Sequence, residues 1–185
     1  MHVILPKTFV QPESIIGPLF FFMGPVRGGE DWQHLCYRKI LAKINHFTAV
    51  IPIPYLDDHP LRSVQLAGDG KYFERQLPWE RYYLEAAAIR GCILTWLPKE
   101  SATEPRVRGP YAQDTYGELG EWRGRLMANP DLRIVIGSQE EFPGLDTIRR
   151  NYTLALKRDF PFHSSLDEVV DAALRMVKAT TATTA

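Results

Sequence analysis

The chain has 185 residues, 45% of them hydrophobic and 24% charged, which suits one globular domain with a sizeable core rather than two. Its 22 basic and 22 acidic residues leave no net charge, and no Lys/Arg block is long enough to track a phosphate backbone, so polymeric nucleic acid is excluded as the expected partner. Two cysteines, Cys36 and Cys92, offer neither a disulfide framework nor a paired Cys/His metal motif, so a reducing, cytoplasmic setting without a bound metal is expected.

Residues 1–18 carry three prolines and no clean periodicity, and are expected to form an extended arm laid against the domain or a neighbouring subunit. The longest apolar stretch, Ile15 to Met23, is broken by Gly17 and Pro18 and is too short to span a bilayer; neither a membrane helix nor a signal peptide is expected. Leu19 to Met23 reads as a core strand buried on both faces, closed by Gly24-Pro25. The loop Gly24 to Asp31 is glycine-rich and carries Arg27, a fork of donors; it suits a phosphate or sugar, and equally a plain tight turn. A helix is expected from Trp32 to Asn45, a second strand over Phe47 to Ile53, and an irregular loop from Leu56 to Gly70.

Leu77-Pro78-Trp79-Glu80 signals the next helix, because proline fits a first helical turn. Gly91 to Pro98 is an apolar strand, Lys99 to Tyr111 a polar loop suited to a lid, and a helix starts at Asp114 or Thr115. Leu132 to Gly137 reads as a strand, Gly144 to Tyr152 as a helix, and Ser165 to Leu174 as a helix capped by Ser164 or Ser165. Residues 180–185, all Thr and Ala, are expected to be a disordered tail, leaving 19–179 as the domain. The alternation of strands and helices predicts an α/β fold: a flavodoxin-like parallel sheet of about five strands with helices on both faces.

Glu118 is the candidate with two readings. In Thr115-x-x-Glu118 it completes a capping box; as an ionised carboxylate near a helix start after a strand end, it suits a nucleophile. Asp31 reads foremost as a helix cap, Gln33 as a cap or ligand donor, and Trp79 and Trp96 as packing or base-stacking groups. His34, His59 and His163 show no metal-ligand spacing.

The strand into Gly24-Pro25, then Asp31-Trp32-Gln33, Gln76-x-x-Trp79-Glu80, Ile93 to Pro98 and Thr115-x-x-Glu118-Leu119-Gly120-Glu121-Trp122 follow one another in an order that resembles the nucleoside 2-deoxyribosyltransferase-like family. The resemblance covers roughly Leu19 to Gly144. It implies a flavodoxin-like fold, a homo-oligomer, no cofactor, and a reaction in which Glu118 attacks the anomeric carbon before a second nucleobase takes the sugar. It places Gly24 and Pro25 at the sugar and Glu80, or Asp114, as the acid that protonates the departing base. Ala112 stands six positions before Glu118, where active transferases often carry an aspartate for the sugar hydroxyls. The expected partners are a nucleoside or nucleotide and a free nucleobase. The alternatives are a nucleoside monophosphate N-glycosidase, with Arg27 and its loop on the phosphate, and a nucleotide-binding domain without catalysis.

Overall fold

The computed structural model describes residues 2–53 and 58–183. Six strands form one sheet: β1 (His2–Ile4), β2 (Leu19–Met23), β3 (Thr48–Val50), β4 (Gly91–Leu97), β5 (Ile134–Ser138) and β6 (Phe162–His163). All neighbours are parallel, in the order β1-β3-β2-β4-β5-β6. The helices are α1 (Trp32–Leu41), α2 (Gln76–Arg90), α3 (Gln113–Ala128), α4 (Leu145–Leu156) and α5 (Leu166–Thr183). Without β1, the strand order is that of flavodoxin, so the fold is flavodoxin-like with one strand added at the β3 edge.

A parallel sheet buries both faces, and the strand sequences obey that requirement. Along β2, Leu19, Phe21 and Met23 enter the core beneath α2, α3 and α4, while Phe20 and Phe22 enter the core beneath α1 and α5. The same alternation divides β4: Ile93 and Leu97 point to the first layer, and Cys92, Leu94 and Trp96 to the second. Among the described residues, no helix is long and apolar enough to cross a membrane.

Several expectations shift in detail. Part of the expected N-terminal arm is β1, paired with β3 along His2↔Thr48, Val3↔Ala49 and Ile4↔Val50. The segment after it lies on α2, where the Trp79 indole N–H donates to the Thr8 carbonyl at 3.1 Å and the Val10 N–H donates to the Tyr83 hydroxyl at 2.9 Å. The first helix stops at Leu41 rather than Asn45, in a turn where the Lys43 and Ile44 N–H groups both donate to the Ile40 carbonyl. The last helix runs through Thr183, into the segment expected to be disordered; residues 184 and 185 lie outside the described ones. The loop expected from Leu56 likewise begins outside them, and its described part, from Asp58, contains a short 3-10 helix, Pro60–Val64, beside β1.

Gly91 opens β4 directly opposite Leu19 of β2, and a Cβ there would sit 1.8 Å from the Leu19 carbonyl oxygen. That neighbour is backbone in the centre of the sheet and cannot step aside without breaking the ladder. Gly91→Ala is expected to cost about 3 kcal/mol or more, at the upper end of overpacking penalties, read as a lower urea midpoint in equilibrium unfolding.

Candidate functional site

The carboxyl ends of β2 and β3 open into a cavity of about 680 Å³, closed on one side by the first turns of α2 and on the other by α3. This is the crevice that an open parallel sheet creates where the strand order reverses, here between β3 and β4 on either side of β2. Phe21 and Met23 form its floor, with the loop that continues β2 through Gly24, Pro25 and Arg27. Glu118 and Asp114 reach it from α3, and Glu80 from α2.

Glu118 is not a cap. The helix starts at Gln113, its N-cap is Ala112 in the left-handed region with φ of 56°, and no side chain caps it. Thr115 is therefore already inside the helix and Glu118 lies nearly a turn further on, so the capping box does not form. The earlier start follows from Tyr111, whose hydroxyl donates to the Pro98 carbonyl at 2.8 Å and draws the end of the loop onto the strand end. Among the described residues, the Glu118 carboxyl has no hydrogen bond or ion pair. Burial pushes its pKa up to about 8, and the nearby charges of Glu80, Asp114 and Glu121 act in the same direction.

Glu80 has a different environment. Burial raises its pKa as well, but the Gln76 side-chain amide, one turn earlier on α2, donates to its Oε1 at 2.6 Å and opposes that shift; the Asp114 charge adds a smaller upward push. Two carboxyl groups that each resist ionisation thus share one cavity, and only one of them has a donor.

Four arginines line the same space: Arg27, Arg81, Arg106 and Arg125. Arg125 lies 2.9 Å from Glu121 and 3.0 Å from Glu85, and sits over the Trp122 ring at 5.1 Å, tying α2 to α3. Arg81 adds a 3.4 Å contact to Glu121. Arg106 is brought in by the loop after β4 and lies 3.6 Å from the exposed Asp114. Arg27 is exposed and, among the described residues, has no ion pair or hydrogen bond.

The remaining sequence candidates lie elsewhere. Asp31 caps α1, its Oδ1 accepting the His34 N–H at 3.1 Å. Gln33 is only 1% exposed and donates to the Pro25 carbonyl at 3.3 Å, beside the Trp32 indole N–H at 2.9 Å; together they hold the loop from behind rather than facing the cavity. Trp79 is fully buried against Phe21 and Tyr83, so it packs the core and does not stack on a ligand. Trp96 is buried on the α1 and α5 face, across the sheet from the cavity. Of the two loops, the one over 99–111 contributes Arg106, whereas the described part of the other does not line the cavity; Pro52 and Ile53, just before it, do.

Sequence reasoning missed Arg81, Arg106, Glu121 and Arg125 as cavity residues and gave Gln76 no role. The i,i+4 repeats Gln76–Glu80–Leu84 and Leu77–Arg81–Glu85 on α2 could have exposed Gln76 and Arg81, because all six line the cavity. Nothing periodic marks Arg106. No group of three or more His, Cys, Asp or Glu side chains is placed to hold a metal among the described residues. No protein-family model matches the chain, and no curated protein matches it.

The folded protein binds the Glu118 proton more tightly than the unfolded chain, in which the group titrates near 4.5. Between that value and about 8 the folded state holds more protons, so stability falls as pH rises through this window. At roughly 1.4 kcal/mol per unit, the loss is on the order of a few kcal/mol. Glu118→Gln should remove this dependence, leaving the variant more stable than the parent at pH 9 and much less different at pH 5, as read from urea unfolding at the two pH values.

Proposed function

We propose that this chain cleaves or exchanges the N-glycosidic bond of a nucleoside or nucleotide, in the manner of the nucleoside 2-deoxyribosyltransferase-like proteins its motifs resemble. The observation that carries this reading is the pair Glu118 and Glu80: two carboxyl groups in one cavity, the first with no hydrogen-bond or ion-pair partner among the described residues. A double displacement at an anomeric carbon uses one carboxylate as nucleophile and one carboxylic acid as proton donor. Burial raises the pKa of both carboxyls and the Glu80 charge raises that of Glu118 further, so the pair holds a proton near neutral pH.

In the first step a Glu118 oxygen bonds to the anomeric carbon, the C–N bond breaks with its electron pair going to the base, and the base nitrogen takes the proton from Glu80. In the second, the nitrogen of another base attacks the same carbon, the Glu118 carboxylate departs, and Glu80 recovers a proton from the incoming nucleophile. Two displacements at one carbon retain the anomeric configuration. Glu80 is better placed for the proton than Asp114, which is exposed and lies beside Arg106. Leu77, Leu84 and Trp122 provide apolar wall for a base. Gly24, with φ of 148°, is glycine because a Cβ there would meet the Trp96 carbonyl oxygen at 2.3 Å; it lines the cavity on the side proposed for the sugar. The same resemblance suggests a homo-oligomer, and the sparse cysteine usage a cytoplasmic setting.

One observation favours hydrolysis of nucleoside monophosphates as a second reading. Among the described residues Arg27 is an unpaired guanidinium, on the loop that forms the cavity floor, and a phosphate is the group its fork of donors fits. Water would then take the place of the acceptor base.

Incubation with deoxynucleosides, ribonucleosides and their 5'-monophosphates, with and without a free base, separates these outcomes. New nucleosides indicate exchange, base release alone indicates hydrolysis, and silence with retained nucleotide binding indicates a binding domain. Glu118→Gln should lower whichever turnover is found by roughly 10³-fold or more, as expected when a nucleophile is removed. No glycosyl adduct should then be trapped on its peptide. A Glu118→Gln protein with parental turnover would refute the double displacement. Arg27→Ala should raise the KM for monophosphates at least about tenfold more than the KM for nucleosides, the equivalent of roughly 1.4 kcal/mol of lost phosphate contact.

A further inference from the structure

We propose that Gln76 is a positioning residue: by donating to Glu80, it decides which of the two carboxyl groups in the cavity holds their shared proton. The proposal rests on the glycosidic reading above and adds a residue to it. Gln76 occupies the first position of α2 and Glu80 stands one turn later, so the two side chains lie on one helix face, both lining the cavity. The amide N–H donates to Glu80 Oε1 at 2.6 Å.

Glu118 has no equivalent donor among the described residues, so the pair is asymmetric. A donor aimed at one carboxyl favours its ionised form, and the ionised group then holds the proton on its neighbour by repulsion. The resting arrangement is therefore Glu80 ionised and Glu118 protonated.

The charged groups around Glu80 do not cancel this asymmetry. From α3, Asp114, Glu118 and Glu121 are all acidic, and Glu121 is already paired with Arg125 and Arg81. From the loops, Arg106 lies beside Asp114, while Arg27 stands exposed on the cavity floor. On α2 itself, Glu85 is paired with Arg125. The floor beneath, Phe21 and Met23, carries no charge.

Attack on the anomeric carbon needs the opposite distribution, with Glu118 ionised and Glu80 protonated. Gln76 thus holds the empty site in its inactive protonation state, and the proton must cross from Glu118 to Glu80 before the C–N bond breaks. No atom is lost in that transfer: one O–H bond breaks and one forms. An amide can still donate to the carbonyl oxygen of a protonated Glu80, so Gln76 remains in place through the step.

The test is a site-resolved carboxyl titration of the ligand-free protein by carbon NMR, comparing the parent with Gln76→Met and Gln76→Glu. Methionine keeps the length of the side chain without a donor, and glutamate replaces the donor with an acceptor. Both variants should move the Glu80 titration to higher pH and narrow its gap from Glu118. Each unit of that shift corresponds to a tenfold larger share of the form with Glu118 ionised. If one variant fails to fold, the other carries the test, since both shift Glu80 in the same direction. A Glu80 titration unchanged in a folded variant overturns the proposal. The titration requires no turnover, so it is independent of the substrate panel. A silent panel refutes the enzymatic reading, while an unmoved titration in an active protein removes only the role of Gln76.

Discussion

The pairing of β2 with β4 is the constraint from which the rest of the architecture follows. The ladder from Leu19↔Gly91 to Met23↔Thr95 places two strands side by side with nearly every side chain withdrawn from solvent. Strands buried on both faces need helices on both faces, and parallel strands need long crossovers to return the chain to the same end. The crossovers leaving β2 and reaching β4 run on opposite sides of the sheet, α1 on one and α2 on the other. The opening between them is therefore a product of topology, and it exists before any functional side chain is considered.

That opening is then filled with charge. Glutamates and arginines from α2 and α3 enter together, and their arrangement separates two tasks. Arg125, Arg81, Glu121 and Glu85 neutralise one another and bind the two helices together at the outer wall. Deeper in, Glu118 has no countercharge among the described residues, and burial with like charges nearby makes its ionisation costly. A group held in this way does not stabilise the fold at neutral pH. A hydrophobic or amide replacement would serve the structure better, and this is the cost that the proposed chemistry would explain.

How much of this was legible in the sequence depends on the range of the interactions involved. The apolar runs of β2 and β4 announce buried strands because the burial is continuous along them, and the heptad-like spacing of Leu119, Trp122 and Leu126 marks the buried stripe of α3. β1 and β6 escape notice because three and two residues are too few to carry a period, and their partners supply the order. Thr115 and Glu118 have the spacing of a cap, but the helix boundary is set by Tyr111 reaching the Pro98 carbonyl, a contact no local pattern encodes. Trp79 likewise stands at a helix start where a ligand-stacking role is plausible, yet its N–H is claimed by the carbonyl of Thr8, seventy-one positions away in the chain. Local pattern identified the elements, and distant backbone groups determined which side chains were free.

The outermost strand has a consequence for how the protein is made. Within the sheet β1 precedes β2 and β3 along the chain, but its ladder is made with β3, whose own position depends on β2. β1 must therefore wait for segments that follow it, and the sheet closes on that side by a long-range pairing. Until it closes, β3 and the apolar residues that follow it, Ile51 and Ile53, present an unpaired edge to any neighbouring chain. β1 acts in this sense as a seal on the β3 edge, and the yield of monodisperse protein during refolding depends on how quickly that seal is set relative to encounters between chains.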